Sequence, residues 1–241
     1  MSDKNLRKAV NCLEQKIDEV QHSKTPSLII LAESKGKYLK RAIFPTDRFI
    51  TNEISWCCKG GATIRDSYNY VKRNLKTAKS AINRVVYVWL GTCDLTKKLD
   101  NGEITLNSYH SSSVDCIVTQ YRELSQFFKA KECAVVFLEI PYFSIKIWNV
   151  RKGHHQLDKY IEEDLILKSQ IERLNEEIKC LNGENKVQAP LFNKDLQKAR
   201  SHNGTAQYYT NWAQFTDGIH PGSLVSRVWL LKIILNHYRS S

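Results

Sequence analysis

Four short, continuous apolar runs, each closed by small or polar residues, constrain the fold of this chain more than any other feature. They are SLIILAES at 27–34, ISWCC at 54–58, RVVYVWLG at 84–91 and CAVVFLEIP at 133–141. A run of this length without polar alternation reads as a strand buried on both faces. The intervening segments have helical spacing. Ile64, Tyr68, Val71 and Leu75 mark 62–82, SKGKYLKRAIF opens a helix after the first run, and 111–130 reads as a helix with a Ser cap. Strand and helix therefore alternate, which predicts a parallel sheet covered on both sides. The expected class is α/β: a three-layer α/β/α sandwich, flavodoxin-like in outline, with about five parallel strands. VQAPLF at 187–192 is the weak fifth strand.

Flanking segments complete the layout. Leu6, Val10, Leu13, Ile17 and Val20 form one face of an amphipathic helix over 3–22, ended by Lys24-Thr25-Pro26. This divides the chain into an N-terminal helix at 1–25 and a main domain at 26–241. After Pro141 a connection containing Trp and Lys runs over 142–155. A long charged helix at 156–182 follows, with Leu157, Ile161, Leu165, Ile171, Leu174, Ile178 and Leu181 as its stripe; it is read as the helix of the last crossover. Residues 193–215 are polar and loop-like, and 223–238 form a terminal helix.

Composition excludes several classes. Seven cysteines, an odd number with no C-x-x-C pair, argue against a disulfide framework and against a zinc site. Their usage fits a reducing compartment. His154-His155 lacks companion ligands, so no metal is expected. No phosphate-cradling glycine loop follows the first strand, so no nucleotide or flavin cofactor is expected. The segment MSDKNLRKAVNCLEQ has no apolar signal region, and no run of about 18 apolar residues could cross a membrane. The expected location is intracellular, cytoplasmic or nuclear. Lys and Arg total 36 against 25 Asp and Glu, a net charge of +11. That excess favours acidic partners such as nucleic acid, although the basic residues are scattered rather than gathered into an arm.

In an open parallel sheet, ligands bind beyond the carboxyl ends of the strands. There the chain has Ala32-Glu33-Ser34, Gly60-Gly61-Ala62-Thr63 and Gly91-Thr92-Cys93-Asp94, with Thr216-Asp217-Gly218-Ile219-His220-Pro221 before the last helix. Each has a plain structural explanation. Ser34 can cap a helix, Gly60-Gly61 can make a turn, and Asp217-Gly218 can turn the chain into a helix begun at His220-Pro221. Their ordered combination over 27–238 resembles the four sequence blocks of the SGNH (GDSL-like) hydrolases. AES at 32–34 is similar to G-D-S, Gly61 to the glycine of the second block, and GTCD at 91–94 to G-x-N-D; DGIHP at 217–221 matches D-x-x-H-P throughout.

The resemblance implies a serine esterase acting through an acyl-enzyme, with Ser34 as nucleophile, His220 as base and Asp217 as its orienting carboxylate. It implies an oxyanion hole from the N–H groups of Ser34 and Gly61 and from position 93. Cys93 replaces the family's asparagine there, and a thiol is a weak donor. Glu33 and Ala32 replace Asp and Gly in the first block. Glu33, Asp94, Trp148 and Trp212 are candidate pocket residues, with Tyr208-Tyr209 nearby in sequence. The alternative is a catalytically degenerate module that binds nucleic acid or a protein partner. GTCDLT and DGIHP also resemble esterase-like domains encoded by animal retroelements. A third role, oligomerisation through 3–22 and 156–182, stays open.

Overall fold

The four apolar runs line up side by side in one sheet, all strands parallel. The computed structural model describes residues 1–20, 27–45, 47, 54–74, 84–202 and 205–240. In chain order these form α1 (Asp3–Val20), β1 (Ser27–Ala32), α2 (Ser34–Arg41), β2 (Ile54–Cys58), α3 (Ile64–Asn74) and β3 (Arg84–Trp89). A short helix α4 (Thr92–Leu95) and a small antiparallel pair, β4 (Thr96–Lys98) and β5 (Ile104–Leu106), come next. Then follow α5 (Ser112–Lys129), β6 (Cys133–Phe137), α6 (Ile145–Arg151), α7 (Leu157–Glu184), α8 (Asn193–Leu196), the hairpin β7 (Gln197–His202) and β8 (Thr205–Thr210), a 3-10 turn at Trp212–Gln214, and α9 (Ser223–Ser240).

The sheet order is β2-β1-β3-β6. From β1 the chain moves outward to β2, then crosses back to β3 and continues to β6. The reversal point lies between β1 and β3, where an open α/β sheet forms its ligand crevice. Both central strands are buried along almost their whole length. Alternation sends Tyr87 and Trp89 to one face, where the Tyr87 hydroxyl donates to Asn236 of α9 and Trp89 packs edge-on against Trp229. Val88 and its partner Phe137 point to the other face, where Tyr121 of α5 packs on Phe137. Helices cover both sides, giving three layers, and α1 lies along α9.

The described sheet has four strands rather than five. VQAPLF does not form a strand, because the edge of β6 is already occupied by amide side chains of α7. Asn182 accepts from the Phe137 N–H at 2.9 Å and donates to the Phe137 carbonyl at 2.7 Å. Asn175, two helical turns earlier, does the same for Ile140 at 2.7 and 2.9 Å. Asn185 donates to the Val135 carbonyl at 3.1 Å. An Asn amide carries one donor side and one acceptor side, so it imitates a neighbouring strand's backbone and satisfies the edge.

Other expectations shift in detail. The connection at 142–155 contains α6, whose Ser144 cap accepts from the Ile147 N–H at 3.0 Å. The segment 193–215, expected as loop, holds α8, the β7–β8 hairpin and the 3-10 turn. The helices expected at 3–22 and 62–82 are described as far as Val20 and Asn74, and the Lys24-Thr25-Pro26 stop lies outside the described residues. Among the described residues no helix is long and apolar enough to cross a membrane.

Candidate active site

The four sequence blocks meet beyond the carboxyl ends of β1, β2 and β3. Ser34 is the first residue of α2, two residues past the end of β1. Close approach of α2 to the sheet depends on Gly36: a Cβ there would lie 2.5 Å from the Cys58 sulfur and 2.7 Å from Ala32 Cβ. The serine thereby stands at the edge of the crevice with its hydroxyl half-buried.

Asp217 and His220 lie on the loop leading into α9. Asp217 Oδ1 accepts from the Ile219 and His220 N–H groups at 3.0 and 2.8 Å, and Oδ2 meets His220 Nδ1 at 2.7 Å. His220 Nε2 lies 2.9 Å from Ser34 Oγ. The Asp217 contact puts the ring proton on Nδ1, which leaves Nε2 to accept from the serine hydroxyl. Burial pushes the Asp217 carboxyl up, but the His220 ring and the two N–H groups outweigh it and hold the group below its ordinary value. The loop is pinned by Thr216 N–H donating to the His220 carbonyl at 2.8 Å and by Ser144 N–H donating to Gly218 at 3.0 Å. Gly218 has φ of 91°, and a Cβ on it would meet Ile147 at 2.8 Å, so only glycine fits.

The imidazole is flanked by two aromatic rings. Tyr38 stacks on it with centroids 4.8 Å apart at 15°, and Trp148 lies 6.0 Å away at 60°. Trp148 thus lies beside the His220 ring, with its indole N–H donated to the Gly102 carbonyl at 3.2 Å. Trp212 packs on Phe215 of the same loop, at 5.6 Å. Tyr38 was not expected from the sequence. Its signal was its position four residues after Ser34, which sets both on one helix face.

Glu33 and Asp94, the other two candidate pocket residues, both have protein partners. Glu33 is fully buried, and its carboxylate is taken by the Lys35 ammonium and by the Cys93 N–H, the latter at 3.2 Å. Lys35 is buried too and also contacts the Thr92 hydroxyl. Burial pushes the Glu33 carboxyl up, but Lys35, Thr92 and Cys93 together outweigh it and keep the group below its ordinary value. Nothing in the sequence marks Lys35 as a core residue. Asp94 receives the Ile64 N–H on both oxygens at 3.1–3.2 Å, tying the turn after β3 to the start of α3. Burial, reinforced by the nearby Glu33 and Asp66 carboxylates and opposed by the Ile64 N–H, pushes its carboxyl up to about 7.

The residues expected to form an oxyanion hole are in two states. Among the described residues nothing accepts from the N–H groups of Ser34 and Gly61. Cys93 has given its N–H to Glu33, and burial followed by that neighbouring carboxylate pushes its thiol far above the ordinary range. Cys93 is thus a neutral thiol at physiological pH. Cys57 and Cys58 are free thiols; burial and the adjacent Cys57 push Cys58 up to about 12.

No protein-family model matches the chain, and no curated protein matches its sequence. Solved structures do match it in shape. A GDSL-like lipase from Bacteroides thetaiotaomicron superposes with a TM-score of 0.61 at 14% identity, over 97% of this chain and all of that one. A lipase/acylhydrolase from Enterococcus faecalis gives 0.51 at 12% identity, over 86% and 92%. The OSK domain of Drosophila Oskar gives 0.51 at 15% identity, over 88% of each chain. This chain has the three-layer α/β/α fold of the GDSL-like lipases and acylhydrolases.

Proposed function

We propose that the chain is a carboxylic ester hydrolase working through an acyl-enzyme on Ser34. The observation that carries this reading is the hydrogen-bonded line from Ser34 Oγ through His220 to Asp217, with links of 2.9 and 2.7 Å. Ser34 Oγ attacks the ester carbonyl as His220 Nε2 takes its proton. Asp217 holds the ring in the correct tautomer and stabilises the imidazolium. The uncommitted N–H groups of Ser34 and Gly61 bind the oxyanion, helped by the positive end of α2. His220 returns the proton to the departing alcohol oxygen, and the same base then activates water to release the acid. Residues 26–241 carry this chemistry, and α1 braces α9, which follows the His220 loop.

A serine-reactive fluorophosphonate tests the reading. The expected result is one covalent adduct per chain, lost in Ser34→Ala and in His220→Gln. A wild-type protein that takes no label and hydrolyses no ester would overturn it.

A second reading is a module that keeps the fold without efficient turnover and binds nucleic acid. It is favoured by Cys93, whose N–H serves Glu33, and by the +11 charge. Its signature is binding to RNA that weakens steeply with salt in a protein lacking esterase activity.

A further inference from the structure

A basic groove opens beside the proposed nucleophile. Its volume is about 400 Å³, and it is lined by Lys37, Lys40 and Arg41 of α2 with Trp56 and Cys58 of β2. Among the described residues, three cations and no carboxylate line it. Among the described residues none of the three is in an ion pair, and all are exposed. Lys37 and Lys40 share the groove with Cys58, the last residue of β2.

The groove is coupled to the proposed triad in two ways. A point at the Cβ position of Gly60 lies 3.8 Å from Lys37 Nζ and 3.8 Å from Ser34 Cβ. The ammonium is therefore at most twice 3.8 Å from the serine Cβ, on the same side of Gly60. The Arg41 guanidinium lies 5.5 Å from the Tyr38 ring, which itself stacks on His220. The acidic groups near the serine are already engaged: Asp217 with His220, Glu33 with Lys35, and Asp94 with the Ile64 N–H. Among the described residues, the charges at the crevice mouth beside Ser34 are therefore mainly these cations. Like charges converging in one groove are strained until an anion enters it.

We propose that the substrate is a carboxylic ester that also carries a phosphate group, held by Lys37, Lys40 and Arg41 while its ester carbonyl meets Ser34. The inference rests on Ser34 as the reacting serine. Two ammonium groups and a guanidinium suit a phosphate dianion, with the guanidinium giving paired donors and the ammoniums point charge. The spacing also suits it. In a 1-acylglycerol 3-phosphate, roughly 7 Å separates the ester carbon from phosphorus at ordinary bond lengths.

The test compares 1-hexanoylglycerol 3-phosphate with 1-hexanoylglycerol. Wild type should show kcat/KM about 10- to 100-fold higher for the phosphorylated ester, falling with added salt. In Lys37→Gln/Lys40→Gln the ratio should collapse by about 10-fold or more, while Lys179→Gln on the exposed face of α7 should leave it unaltered. Equal hydrolysis of both esters by wild type overturns the inference and leaves the hydrolase reading standing. Calorimetric binding to Ser34→Ala separates the opposite failure. If that variant prefers the phosphorylated ester but wild type hydrolyses neither, the phosphate site stands and the hydrolase reading falls. Co-sedimentation with phosphatidylcholine vesicles containing phosphatidic acid, but not with phosphatidylcholine alone, identifies the source as a lipid. Preference for the soluble ester without co-sedimentation identifies a soluble phosphate ester.

Discussion

Asp217 and His220 meet within one loop, whereas Gly61 and Cys93 follow the ends of two different strands, β2 and β3. The first pair spends its polar groups on each other and on the serine: Oδ2 to Nδ1, then Nε2 to Oγ. The second region spends much of its polarity on holding turns together. Cys93 gives its N–H to Glu33, and Asp94 takes the N–H that starts α3. A base–carboxylate pair three residues apart is fixed by local geometry, so it tolerates drift elsewhere. An oxyanion hole assembled across strands would depend on every neighbour, and here the buried Glu33–Lys35 pair holds the Cys93 N–H.

The largest effect separates the two regions outright. His220→Gln removes the base but leaves the N–H donors and the fold intact. Esterase activity should fall by about 10⁴-fold or more, with an unchanged unfolding midpoint. An equal fall in stability would mean that the loop is structural and the comparison misdrawn.

Lys35→Met attacks the other region from below. It leaves the Glu33 carboxylate buried and unpaired, which should cost about 3–5 kcal/mol in urea unfolding. The pH slope should also invert. In the wild type the Glu33 carboxyl is held below its unfolded value, so its contribution is present above the unfolded pKa and is lost as pH falls through the folded one. Without Lys35, burial raises that carboxyl instead, so the variant should gain stability as pH falls from neutral toward the carboxylate range. A variant that loses stability on acidification in parallel with wild type would sink this account.

Cys93→Asn sharpens the comparison by adding an amide donor to the second region. If the missing donor limits turnover, kcat should rise by about 100-fold, within the range measured for single oxyanion donors. If Glu33 captures the new amide as it holds the Cys93 N–H, kcat will stay flat, and Cys93 will not be the limiting residue.

The sequence disclosed these regions unequally, for physical reasons. The central strands were legible because β1 and β3 are buried on both faces and cannot afford polar residues. DGIHP was legible because its residues interact within the loop. The absent fifth strand was not, because Asn175, Asn182 and Asn185 look like ordinary polar positions on a charged helix until their amides are seen on the β6 edge. Lys35 was missed for a similar reason. A lysine beside a serine reads as surface, and only its contacts with Glu33 and Thr92 place it inside. Residues at 193–215 read as loop because the β7–β8 hairpin has few apolar positions to alternate. Local interactions leave a pattern in sequence, and long-range polar pairing does not.

The smallest expected effect lies where the two regions touch. Tyr38 belongs to α2, on the serine side, yet its ring stacks on the imidazole supplied by the loop. It limits how far His220 can tilt from Nε2–Oγ alignment. An aromatic stack contributes about 0.5–1.5 kcal/mol. Tyr38→Leu should therefore lower kcat for a neutral ester by about 2- to 10-fold, and Tyr38→Phe should retain wild-type kcat because the ring remains. A neutral ester keeps the Arg41 groove out of the measurement. If Tyr38→Phe falls as far as Tyr38→Leu, the phenol oxygen rather than the stack matters, and the imidazole is held by Asp217 and the loop alone.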